Sequence, residues 1–328
     1  MTVSRRRMVQ SLGASALLAG FGPAALAQAI ETAKVVVGFP AGGTADVLCR
    51  RLAEKLAPGY AKAAMVENKT GAAAQIAITS MKGVAADGSV MLLTPMSMLG
   101  IYPHIYKKLP YDPVADVVPV AMLASIDFGL GVGPSVPASV KTVPEYLAWA
   151  KANPAQANFA SPAAGSTPYF IGALMGRAAG IALTHVPYRG SQPAIADMIG
   201  GQIPAVSAPV GEFLQHLASG RVRLLGTSGA ARSRFAHTVP TYTEQGLKDM
   251  VFREWFGMYL PAGASPETVK RLNAALVAAL ALPDTIEGLG RMGMESTSST
   301  PAELAAALKS DNERWGPLVK AIGFSADA

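Results

Sequence analysis

The chain has 328 residues, half of them hydrophobic and 15% charged, a composition that excludes a disordered polypeptide and suits about two globular domains. Its one cysteine, Cys49, leaves no internal disulfide and no multi-cysteine zinc or iron–sulfur centre. The net charge is +6, but Arg5, Arg6 and Arg7 supply half of it, and the remainder is too thinly spread for a nucleic-acid-binding surface.

At the N-terminus, Ser4 to Gln10 carries the three arginines ahead of a weakly apolar run from Ser11 to Phe21, and Pro23 breaks the run. Ala25-Leu26-Ala27 or Ala27-Gln28-Ala29 then offers a small-x-small cleavage site. The pattern resembles a twin-arginine export signal. The apolar run falls well short of the ~20 residues needed to span a bilayer. Residues 1–29 are therefore expected to be removed on export. No later segment reads as a membrane span, so the mature chain is expected in a bacterial periplasm.

Lys34 to Phe39 is a β-branched run bounded by Pro40 and glycines, which predicts a buried strand. Gly42-Gly43 turns the chain, and Leu48, Leu52 and Leu56 place one apolar face on a helix from Thr44 to Leu56. Strand, glycine turn and helix open a βαβ unit. Met91 to Leu93, Thr184 to Pro187 and Arg221 to Thr227 predict further strands, and Pro193 to Ile199 a helix that Ser191 would cap. Ser265-Pro266-Glu267 starts a helix striped by Val269, Leu272, Leu276 and Leu280. Thr300 to Glu303 reads as a capping box opening the last helix, with Leu304, Leu308, Trp315, Leu318 and Ile322 available for burial. No flexible linker divides the mature chain, which fits two domains joined by short crossings with a cleft between them.

Catalytic patterns are absent from the sequence. The histidines at 104, 185, 216 and 237 are far apart, with no H-E-x-x-H, no G-x-S-x-G elbow and no nucleotide-binding glycine loop. Cys49 falls mid-helix beside Leu48 and reads as a small buried thiol. No cofactor or metal is expected. Two turns instead have anion-binding chemistry. Pro40-Ala41-Gly42-Gly43-Thr44 aims backbone amides from a helix start, and Asp46 in its first turn would have to be held aside by hydrogen bonds. Ser161 to Thr167 offers hydroxyls and the amides around Gly165 ahead of a second helix.

Those turns belong to an ordered set of motifs. Phe39 to Asp46, Val66 to Gly71, Asp87-Gly88, Leu109 to Pro113, Asn158 to Ser161, His185 to Gly190, Trp255 to Gly257 and Pro261 to Gly263 together resemble the tripartite tricarboxylate transporter receptors, also called Bug receptors. The likeness runs from about Lys34 to Gly323. It implies an α/β, two-domain periplasmic-binding (Venus flytrap) fold with a ligand cleft. Domain 1 would comprise residues 30–124 and 256–328, domain 2 residues 125–255, with crossings near Ala124 to Gly129 and Trp255 to Tyr259. It implies a non-enzymatic receptor for small organic carboxylates that serves integral-membrane permease subunits, expected as a monomer. The same binding protein could instead feed a membrane sensor kinase, and an exported enzyme is the reading from another class.

Carried onto this chain, the resemblance assigns ligand contacts to Phe39, Ala41, Gly42, Gly43, Thr44 and Asp46, to Thr94 and Ser97 after the next strand, and to Ser161, Ala163, Ala164, Gly165, Ser166, Thr167 and Tyr169. This chain departs from the family at Ala163 and Ala164, at Tyr169 in place of a usual histidine, and at Ala208, beside Ser207, in place of a common aspartate. These changes take polar and negative groups from the expected cleft. A bare buried ammonium is costly, so an amino-acid ligand is disfavoured. An aromatic or weakly polar acid is expected, with its body near Phe39, Tyr169 and Phe170; the alternative is that Tyr169 belongs to the core and Ser207 does the work of the aspartate.

Overall fold

The structure is a computed structural model that describes residues 30–326; the expected export signal lies outside the described residues. The first strand, β1 (Ile30–Val37), leads through the glycine turn into α1 (Thr44–Leu56) and then β2 (Ala61–Asn68). Three short helices, α2 (Gln75–Thr79), α3 (Met96–Gly100) and α4 (Tyr102–Ile105), surround β3 (Val90–Pro95). A 16-residue strand, β4 (Val117–Val132), is followed by α5 (Val143–Ala152), β5 (Asn158–Ser161), α6 (Thr167–Ala179), β6 (Thr184–Pro187) and α7 (Ser191–Ile199). Then come β7 (Ala205–Pro209), α8 (Val210–Leu217), β8 (Arg223–Thr227) and β9 (Arg253–Pro261). The chain closes with α9 (Pro266–Leu280), α10 (Pro283–Gly290), β10 (Met294–Ser296) and α11 (Pro301–Ile322).

The strands run in the order β2-β1-β3-β9-β4-β7-β5-β6, with β8 and β10 also paired to β4. β4 is the strand shared by the two parts of this arrangement. From Val117 to Asp127 it pairs antiparallel with β9, and β10 joins it at Ala124 to Ile126. From Phe128 to Val132 its neighbours are β7 and β8. One strand thus belongs to two groups of strands, and its partners change between Asp127 and Phe128.

The helical stripe read from the sequence is buried: Leu48, Leu52 and Leu56 are fully enclosed, and each contributes about 1.5–3 kcal/mol. Cys49 lies in the same core, where burial pushes its thiol up, away from the reactive thiolate. The main core covers β1, β3, β9 and most of β4, while Ile195, Met198, Val206 and Phe213 form a second cluster beneath α7 and α8. The Thr300–Glu303 capping box forms in both directions, with Glu303 N donating to Thr300 Oγ1 and Thr300 N to Glu303 Oε2. Ser265 caps α9 through Thr268 N. Ser191 does not cap α7; Gly190 takes the cap position with φ +106°, and Ser191 is the first helical residue. Glycine suits that cap position, since a Cβ on residue 190 would lie 2.7 Å from Pro40 Cγ.

Candidate functional site

The β1–α1 turn lies opposite the starts of α6 and α7, and between them is a cavity with walls from both groups of strands. Phe39, Pro40, Gly43, Thr44, Ser97, Met98 and Phe256 line it from one side, and Pro162, Ser166, Gly190, Ser191, Pro209 and Glu212 from the other. Ile126 and Phe128 line it where β4 changes partners. No lysine, arginine or histidine is among the lining residues. A second cavity abuts the first across Phe39 and Pro162; Gly71 to Ala74, Ala163, Ala164 and the exposed Arg189 line it.

Asp46 does not enter the cavity. Its buried carboxylate accepts from Gly42 N at 2.9 Å, Asn68 Nδ2 at 2.8 Å and Arg50 Nε at 2.9 Å. Burial pushes its pKa up, but the hydrogen bonds from Arg50, Gly42 and Asn68 outweigh burial and hold it below the usual value. Asp46 therefore shapes the turn: it pins Gly42, which needs φ +84°, while Asn68 also ties down Phe39 O. Ala41 and Gly42 sit on the exposed outside of the turn, and Gly43 and Thr44 face inward.

The second turn spends its hydroxyls internally. Ser166 Oγ donates to Ala163 O at 2.7 Å, and Ser161 Oγ donates to Ala163 O at 3.1 Å. Ser161 has one proton to give, so His185 Nε2, 2.8 Å away, is the donor in their contact. Burial drives the His185 imidazole down to about 4, and the ring stays neutral. Tyr169 joins an aromatic cluster, 4.4 Å from Phe324 and 4.8 Å from His185 by ring centroid, and Phe170 is fully buried against Trp315. Neither lines either cavity, an arrangement that matches the alternative in which Tyr169 belongs to the core; Phe128 and Phe256 are the aromatic walls, with Phe39. Gly165 has φ +71°, which favours glycine, and a Cβ there would fall 2.1 Å from Ile105 Cδ1. Thr94, Thr167, Ser207 and Ala208 are buried beside the cavities without lining them, and among the described residues the Thr94 and Ser207 hydroxyls find no hydrogen-bond partner.

Two residues missed in the sequence dominate the cavity's electrostatics. Glu212, in the first turn of α8, reaches across to α1, and its Oε1 accepts from Thr44 N and Thr44 Oγ1, each at 2.7 Å. Gln192 Nε2 donates to its other oxygen. Glu254, on β9, accepts from Ser97 N at 2.7 Å. Burial raises Glu254 to about 7, against the pull of the Ser97 amide. The expectation of a cleft stripped of negative groups is therefore corrected. Two buried carboxylates line it, and neither has an ion-pair partner among the described residues. The argument against an amino-acid ligand loses its premise with them.

An α/β fold threaded by a shared strand, with a cavity lined from both sides, defines a solute-binding protein of the periplasmic-binding type. The family model described as "Tripartite tricarboxylate transporter family receptor" matches residues 48–324, and the chain belongs to that family. The chain is similar to protein BugT of Bordetella pertussis, at 30% identity over 291 residues, covering 88% of this chain and 89% of BugT. The periplasmic binding protein BugD superposes with a TM-score of 0.83 at 28% identity, covering 90% of this chain and 98% of its own. The R. palustris protein Rpa4515, solved with adipate, superposes with a TM-score of 0.85 at 27% identity, covering 90% and 98%. The family is one of receptors, which sets this chain among binding proteins and not enzymes.

Proposed function

We propose that the mature chain is a periplasmic receptor that captures a small organic carboxylate in this cleft and delivers it to the permease subunits of a tripartite tricarboxylate-type transporter. One observation carries the reading: the uncapped starts of α6 and α7 converge on a cavity with aromatic walls in a chain whose relative was solved with adipate. Helix starts attract anions through free N–H groups and the dipole. Phe39, Phe128 and Phe256 favour an aromatic or weakly polar body on the acid. In this reading residues 1–29 are a cleaved twin-arginine signal. Residues 30–124 with 256–328 form one domain and 125–255 the other, and solute binding closes them about the β4 and β9 crossings.

A thermal-shift screen of residues 30–328 against mono-, di- and tricarboxylates, aromatic acids and acidic amino acids tests this. A solute bound only by the folded state adds about 2.7 kcal/mol at a hundredfold excess over its dissociation constant. At least one organic acid is expected to raise the melting temperature. If none does, the carboxylate assignment is wrong.

A further inference from the structure

The carboxylate of Glu212 occupies the position on α1 that a solute carboxylate would take. The cap residue of α1, Gly43, has no side chain to accept from the first turn. Glu212 supplies that acceptor from the opposite wall, 168 residues away in sequence, and it is 3% exposed. The turn is thus an anion site that already holds a carboxylate, and that carboxylate is covalently part of the protein.

Resting on the receptor reading above, we infer that Glu212 is a tethered stand-in for one carboxylate of the solute, and that it makes this cleft selective for acids bearing a single carboxylate. The cavity contains a second acid, Glu254, whose Oε1 is held by Ser97 N, and its walls contain no base. The helix starts left for an incoming anion are those of α6 at Ser166 and α7 at Gly190, neither of which has a side-chain cap. One solute carboxylate can take that place. Within this cavity a second would be driven toward Thr44, which is filled, or toward Phe128 and Phe256, which are apolar; the exposed Arg189 lines the abutting cavity, beyond Phe39 and Pro162. Burying it there without a partner is heavily unfavourable.

Isothermal titration with acids matched in carbon number tests the inference: butanoate against succinate, hexanoate against adipate, and benzoate against phthalate. For the native chain the monocarboxylate of the best-binding pair should bind at least tenfold more tightly than its dicarboxylate partner. Glu212→Ala frees Thr44 N and Oγ1, so the ratio should fall at least tenfold as the second carboxylate takes the vacated place. A native chain that binds a dicarboxylate as tightly as its partner overturns the inference while leaving the receptor reading intact, and this holds whether or not the variant folds. An unchanged ratio in a folded Glu212→Ala protein also overturns it. If no acid in any pair binds the native chain, the carboxylate reading itself fails and takes the inference with it.

Discussion

At Glu254 burial and hydrogen bonding pull in opposite directions. Desolvation disfavours the carboxylate, the Ser97 amide that donates to it favours it, and nearby Asp311 disfavours it again. Burial wins, and the group titrates at about 7 against an ordinary 4.5. The folded state therefore keeps a proton that the unfolded chain has released. Through this group stability is fully present below pH 4.5, declines as pH rises toward 7, and is flat above that. Melting temperatures measured from pH 4 to 9 should show that decline in the native chain and a much weaker one in Glu254→Gln; matching profiles would contradict the assignment. Asp46 was legible from the sequence because its partners Gly42 and Arg50 each lie four residues away. Glu254 and Glu212 were not, because their partners lie 157 and 168 residues off, and only the strand order brings them together.

Elements stabilised by local chemistry were read well, and elements stabilised by tertiary contacts were not. The helix Thr44–Leu56 follows from its leucine spacing, and α9 and α11 from their caps. β4 carries Pro119, Gly129 and Gly131 in a 16-residue strand, and such residues ordinarily interrupt one. It survives because it is paired along its length, with β9 from Val117 to Asp127 and with β7 and β8 beyond it. Gly71 to Ala74 is a harder case. Ala72, Ala73 and Ala74 all have positive φ, at 44°, 52° and 70°, a conformation that disfavours alanine by about 1–2 kcal/mol per residue. Nothing in three alanines signals that turn. Gly38 packs beneath it, 2.5 Å from Ala74 Cβ if it carried a Cβ of its own, and Tyr102 donates to Ala73 O. At the start of α8, Gly211 lets the helix approach Met292, since an added Cβ would sit 1.7 Å from Met292 O. The obstacle is backbone, so Gly211→Ala should destabilise the protein by about 1–3 kcal/mol in urea denaturation. Gly59→Ala, with nothing within 4 Å, should stay within about 0.5 kcal/mol of the native chain. Equal effects of the two would show that the close approach of α8 to Met292 does not constrain the fold.

In the whole molecule, the long strand sets the geometry of binding. β4 pairs with both groups of strands, its partners changing between Asp127 and Phe128, and the main core reaches both walls of the cleft, from Val36 on β1 to Phe159 on β5 and Phe170 on α6. The Glu212–Thr44 contact spans that gap and links the walls directly. The family and the receptor class could be read from motifs in order along the chain, and the family model covers residues 48–324. The charge inside the cleft could not, because it depends on which acids two separate walls turn inward. A crystal structure of residues 30–328 grown with the most stabilising acid would show whether an organic acid is held in this cleft. The acid is expected between Phe39 and Phe256, with its carboxylate at the starts of α6 and α7 and Glu212 still on Thr44. An acid bound outside the cavity, or a cleft empty at saturating acid, would contradict this expectation.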